Sequence, residues 1–213
     1  MERKAFEKKR GIVTRKRIPV IFLSLEGKNK TETLYFAALH KESKYSVRFV
    51  PGKKTDVEGM FTDLEKFKRS EQFNYKDGDR AFCLCDADFE ADKHRKIVET
   101  INANGKSNSV IIVSNPCFEV WYLNHFRYST KCFCSNDEVI QDLERYINLY
   151  DKNRDYYSSH LEANTEIAIK NTRKALQHYE SLGENIDEIT SGSCTQVVSL
   201  VEIMLSKDKQ LET

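Results

Sequence analysis

FCLCDADFEADKHRK, residues Phe82–Lys96, is the stretch whose reading decides the fold. Four apolar-leaning residues, Phe82 to Cys85, run directly into Asp86 and Asp88, and a helix-like pattern follows. A short apolar run that stops on charge and hands over to a helix is what a buried strand of an α/β sheet looks like. Two carboxylates at this spacing repel each other and resist desolvation unless a cation or good hydrogen bonds compensate them. The neighbouring segments should therefore supply both more strands and the compensating partners.

Upstream, IPVIFLSL (Ile18–Leu25) is a continuous apolar strand, and KTETLYFAALHKE places Leu34, Phe36, Ala37 and Ala38 at helix-compatible spacing. YSVRFVP (Tyr45–Pro51) alternates like a strand and stops at a proline, and the next helix sets Val57, Met60, Phe61, Leu64 and Phe67 on one face. Downstream of the acids, DKHRKIVETINANG reads as a helix with Ile97, Val98 and Ile101 inward and Gly105 as its stop. SVIIVS (Ser109–Ser114) is a further buried strand. The order βαβαβαβ predicts a mainly parallel four-stranded sheet with helices on both faces, because parallel strands need crossover connections.

From residue 115 onward every periodic segment is helix-like: CFEVWYLNHF, NDEVIQDLERYINLY, NTEIAIKNTRKALQHYESL and CTQVVSLVEIML. The expected organisation is a basic arm over 1–17, an α/β core over 18–114, and a C-terminal helical lobe over 115–213 packed on it. A chain of 213 residues is long enough for that single unit with a lobe.

Lys plus Arg (34) balance Asp plus Glu (33), so the global charge points to no partner. The first 17 residues differ, with eight Lys/Arg against two Glu. They read either as a solvated terminus or as a phosphate-contacting arm. Six cysteines include no CxxC, and the Cys83/Cys85 and Cys132/Cys134 pairs read as buried thiols. No apolar run approaches the roughly 20 residues of a membrane span, and the basic start has no signal-peptide core. A reduced, cytoplasmic protein without membrane contact is expected.

Ligands of open α/β sheets collect outside the carboxyl ends of the strands. Those ends carry Glu26-Gly27, then Asp86 and Asp88, then Asn115 and Glu119. An oxygen-only set without His or Cys suits a hard cation, Mg²⁺ or Mn²⁺.

This pattern resembles the Toprim fold of topoisomerases, primases and overcoming-lysogenization-defect nucleases. More narrowly, RIPVIFLSLEGKNKTETLYF, CLCDADFE, SNPCFEVWYLNHF and SCTQVVSLVEIML together resemble the RloB-like family of bacterial proteins, found near restriction and phage-defence loci. The resemblance runs from about Arg17 to Leu205. It implies a Mg²⁺-dependent nuclease acting on DNA or RNA, tRNA among the candidates, in antiphage defence of the abortive-infection kind. It also implies a partner ATPase of the AAA or SMC-like type, with a homo-oligomer as a further expectation.

Carried over by position, Glu26 takes the place of the Toprim glutamate, and Asp86 and Asp88 that of the metal-binding pair; all three are the candidate catalytic residues. Asn115, Pro116, Phe118 and Glu119 match the family's Asn-Pro-x-Phe-Glu. The family's usual Glu-Gly-x-x-Thr-Glu has one residue more here, since Lys28, Asn29 and Lys30 separate Gly27 from Thr31. Glu32, Asn115 and Glu119 are therefore candidate supports of the site, and Lys28 and Lys30 are candidate phosphate contacts or else solvated loop charges.

Residue types alone leave other readings open. Glu26 could accept backbone N–H groups at a helix start, and Asp88 could be the N-cap of the following helix. His125 and Trp121 read as packing at the lobe junction. A phosphatase of the haloacid-dehalogenase type also uses Asp-x-Asp at a strand end, but on its first strand rather than its third. A non-catalytic sensor or interaction subunit of an ATPase complex is the other alternative.

Overall fold

The computed structural model describes residues 17–26, 30–52, 54–184 and 192–206. The basic arm up to residue 16, together with Gly27 and Lys28, lies outside the described residues. The chain forms β1 (Val20–Ser24), α1 (Lys30–Leu39), β2 (Ser46–Phe49), α2 (Val57–Ser70), β3 (Arg80–Asp86), α3 (Ala91–Ala103) and β4 (Ser109–Asn115). There follow α4 (Glu119–Asn124), α5 (Asn136–Leu143), a π-helical turn at Tyr157–Leu161, α6 (Thr165–Ser181), β5 (Cys194–Thr195) and α7 (Val197–Leu205).

The expected α/β architecture is present, a mainly parallel sheet with helices on both faces and a helical C-terminal lobe. One strand more than expected belongs to it. The sheet has five strands in the order β2-β1-β3-β4-β5, and the two-residue β5 pairs antiparallel with the end of β4 through Ser114↔Thr195 and Asn115↔Cys194. Within CTQVVSLVEIML, Cys194 and Thr195 sit at the very start, where a two-residue bridge leaves no periodicity of its own to read.

Strand alternation divides the core into two clusters. Ile21, Leu23, Phe82, Leu84 and Ile112 face α1 and the lobe helices. Val20, Phe22, Ala81, Cys83, Cys85, Ile111 and Val113 face α2 and α3. On α1 the buried side chains are Thr31, Glu32, Tyr35, Phe36, Ala38 and Leu39. Ala37, expected to share the apolar spacing, is exposed, because the buried face of α1 follows the rows 31-35-38 and 32-36-39 and position 37 falls off it. Cys83, Cys85, Cys117 and Cys194 are buried, but Cys132 and Cys134 are exposed, contrary to expectation: they lie in an extended loop before α5, where only Phe133 between them turns inward. Among the described residues no helix is long and apolar enough to cross a membrane.

The strand order places a functional crevice. From β1 the chain crosses to β2 on one side, then from β2 over to β3 on the other, so α1 and α3 leave their strands toward opposite faces. Loops that diverge in this way open a gap at the carboxyl ends of β1 and β3, the switch point at which open α/β sheets bind ligands. Glu26 and Asp86 stand on its two sides.

Candidate functional site

Each acid reaches this edge by a different local device. Glu26 follows the last residues of β1 directly. Asp86 is the last residue of β3, where strand pairing with Ser114 fixes its backbone. After it the chain is tied to the end of β4, with Ala87 N donating to Ser114 O (2.8 Å) and Asp88 N to Pro116 O (2.9 Å). Asp88 itself adopts a left-handed backbone with φ of 50°, a region that aspartate tolerates better than most residues. Glu32 enters from the first turn of α1, and Glu119 is the first residue of α4.

These five carboxylates form two groups. Glu26 and Asp88 share the ammonium of Lys93, which lies 2.5 Å from Asp88 Oδ2 and 3.3 and 3.5 Å from the Glu26 oxygens. Asp88 Oδ1 also accepts from Asn136 Nδ2 at 3.0 Å. Burial would raise the Asp88 pKa, but the bonds from Lys93 and Asn136 outweigh it and hold the group below the usual carboxylate range. Burial opposes the Lys93 charge in turn, yet Asp88 and Glu26 push its pKa up. The Asp88 side chain is thus no helix cap: α3 has Glu90 as its N-cap residue.

Asp86, Glu32 and Glu119 make the second group, each at most 6 % exposed. Glu119 is compensated by Tyr150, whose hydroxyl donates to Oε1 at 3.0 Å, and by Lys152 Nζ at 3.2 Å. Asp86 and Glu32 have no ion-pair partner among the described residues, and Glu32 Oε2 is buried without a hydrogen-bond partner, while a backbone N–H hydrogen bond serves the Glu32 carboxylate only in part. Burial raises the Asp86 pKa strongly, and the charges of Glu32, Glu119, Glu26 and Asp88 add to it in that order. Burial likewise pushes Glu32 up to about 7, against the pull of a backbone hydrogen bond, with Glu119 and Glu26 adding and Lys152 opposing.

Not every candidate belongs here. The Asn115 side chain donates instead to Gly192 O at 2.7 Å, tying β4 to the loop before β5. Lys30 begins α1 and is exposed. Trp121 and His125 pack in the core, with His125 Nδ1 2.9 Å from Trp121 O.

Four participants were missed in the sequence: Lys93, Asn136, Tyr150 and Lys152. Lys93 left a signal, because it sits in the first turn of α3, where the helix field favours acids over bases. Asn136, Tyr150 and Lys152 come from the lobe and carry no local mark. Leu149, with φ of 53° and 75 % exposed, holds the turn that sends Tyr150 and Lys152 inward.

Chemically, the donors are hard oxygens with too few protein cations, which suits Mg²⁺ or Mn²⁺. The buried Asp86 and the orphaned Glu32 oxygen fit such an ion. Among the described residues, however, no three His, Cys, Asp or Glu side chains are already gathered to hold one, since Asp88 and Glu26 are drawn to Lys93. Beside this group lies a cleft of about 400 Å³ bordered by Glu26, Asp88, Lys93 and Lys96 with the start of α2.

No curated protein and no solved structure matches the chain. A family model described as RloB-like protein matches residues 21–204, from β1 to the last turn of α7, and so spans all five carboxylates and both lysines. Four motifs in the expected order on an α/β sheet with a helical lobe, together with that match over most of its length, place this chain in the RloB-like family.

Proposed function

We propose that this chain is a metal-dependent nuclease of the Toprim type, hydrolysing phosphodiester bonds in DNA or RNA, tRNA included. In this reading it is the cytoplasmic effector of a bacterial antiphage system and is controlled by an AAA or SMC-like ATPase. The observation that carries the proposal is the convergence, at the switch point of the sheet, of Glu26, Asp86, Glu32 and Glu119, with Asp86 buried beside no cation within ion-pair distance and one Glu32 oxygen left unpartnered.

Asp86, Asp88 and Glu26, with Glu32 beside them, would hold Mg²⁺. When bound, the ion supplies charge neutralisation at the scissile phosphate and at the oxygens that attack and leave. The chain's own residues do the rest. Glu26 borders the cleft and is less buried than Asp86, Glu32 or Glu119, so it is the group placed to take a proton from the attacking water. Lys152 and Tyr150 hold the Glu119 side chain in place, which fixes the floor of the site. Asn136 orients Asp88 from the lobe.

A non-catalytic interaction subunit is the second reading, and one observation favours it: Lys93 already neutralises Glu26 and Asp88 as a metal would. Incubating the purified chain with plasmid DNA and with total RNA separates the two. Mg²⁺, Mn²⁺ and chelator arms are run with and without any ATPase encoded beside it. Metal-dependent cleavage that falls about a hundredfold or more in Glu26→Gln and in Asp86→Asn is expected. The double variant should be scarcely worse than either single one, because the groups act as a unit. Full activity in folded amide variants would leave the carboxylates structural.

A further inference from the structure

We infer that Lys93 is an internal competitor of the divalent cation, a tethered ammonium that must leave Asp88 and Glu26 before an ion can be held there. This rests on the metal-site reading above and goes beyond it, because it assigns a role to a lysine that neither the motifs nor the resemblance marks.

The geometry is specific. Lys93 Nζ contacts one Asp88 oxygen at 2.5 Å and both Glu26 oxygens at 3.3 and 3.5 Å, so a single ammonium bridges acids from two strand ends. The lysine is held in the first turn of α3, against the helix field, and its side chain is only 16 % exposed. Two costs, burial and the helix N-terminus, are thus offset chiefly by these two carboxylates, with Asp86 adding at longer range. An ion that binds the same oxygens releases Lys93 into a less favourable place, and that loss is subtracted from the ion's affinity. Asp86 and Glu32 have no such lysine at ion-pair distance, and they form the other half of the site. The cation site is therefore half filled by the protein itself, which keeps the metal-free chain folded while weakening its hold on metal.

Lys96 provides an internal control. It borders the same cleft one turn along α3, yet among the described residues it has no ion pair. Removing either lysine changes the net charge near the site equally, but only Lys93 leaves a carboxylate pair vacant. The test titrates MnCl₂ into the full chain by calorimetry and measures melting with and without saturating Mn²⁺, for the wild type, Lys93→Met, Lys93→Gln and Lys96→Met.

Lys93→Met should bind Mn²⁺ about tenfold or more tightly than the wild type and gain a larger melting shift from it, as expected for freeing a half-buried charge pair. Lys93→Gln, which keeps an uncharged polar end one atom shorter, guards against a packing defect in the methionine form and should behave likewise. Lys96→Met should change affinity by less than about threefold, the effect of a screened charge. Equal affinities for Lys93→Met, Lys93→Gln and wild type, or an equal gain in Lys96→Met, overturn the competition and leave the nuclease reading standing. No Mn²⁺ binding by any form overturns both.

Discussion

Glu32 is 3 % exposed, has one carboxylate oxygen without a hydrogen-bond partner and has its pKa pushed by burial from 4.5 up to about 7. An acid whose folded pKa lies above its unfolded value stabilises the fold fully at low pH. That contribution is lost as the pH rises from about 4.5 through 7. The metal-free protein should therefore melt at a lower temperature at pH 8 than at pH 5 on account of this residue. Glu32→Gln, nearly the same size and never charged, should raise stability by about 2–3 kcal/mol at pH 8 and change little at pH 5. Urea unfolding at the two pH values, with chelator present, checks this. A variant no more stable than the wild type at pH 8 would mean that the carboxylate is already compensated. The same residue illustrates how legibility varies along the chain. Glu26 and Asp86 announce themselves by ending apolar strands, whereas Glu32 lies in a helix where a first-turn acid is ordinary, and only its packing against the other carboxylates marks it.

At the level of elements, the carboxyl edge of the sheet depends on where helices begin. α2 borders the cleft, and its N-cap is Asp56, whose side chain accepts from Gly59 N at 2.7 Å. Asp56→Ala removes that acceptor and should cost about 1 kcal/mol of stability, read as a lower urea midpoint with an unchanged slope. Since Asp56 touches none of the five site carboxylates through a hydrogen bond, the proposed nuclease activity should persist below the melting range. β5 depends on a different kind of fit. Ser114 and Thr195 share a hydroxyl hydrogen bond of 2.8 Å, and Gly192 passes so close to Tyr179 that a Cβ there would lie 2.1 Å from the ring. The constraint on Gly192 is thus a neighbour thirteen positions back in α6.

For the whole molecule, one cluster of buried side chains joins Ile21 of β1, Leu84 of β3 and Ile112 of β4 to Trp121, Leu143, Leu176 and Leu200 of the lobe. A core shared in this way predicts a single cooperative transition. Leu200→Ala, at a fully buried position in α7, should cost about 2–5 kcal/mol. It should shift two probes together: the fluorescence of Trp121, the only tryptophan, and the labelling of the buried thiols Cys83 and Cys85 on the far face of the sheet. Separate midpoints would show the lobe melting alone. By itself the sequence determined the βαβαβαβ order, the helical character of the lobe, and the acids at the ends of β1 and β3. These are local properties, written in period-2 and period-3.6 patterns and in charge placed where an apolar run stops. Only the tertiary structure decided that Lys93 bridges Glu26 and Asp88, that Tyr150 and Lys152 return from the lobe to Glu119, and that β5 adds an antiparallel edge. Except for the Lys93–Asp88 bond, these contacts join residues 31 or more positions apart in sequence. Which distant groups meet is set by how the whole core packs, and no local period encodes it.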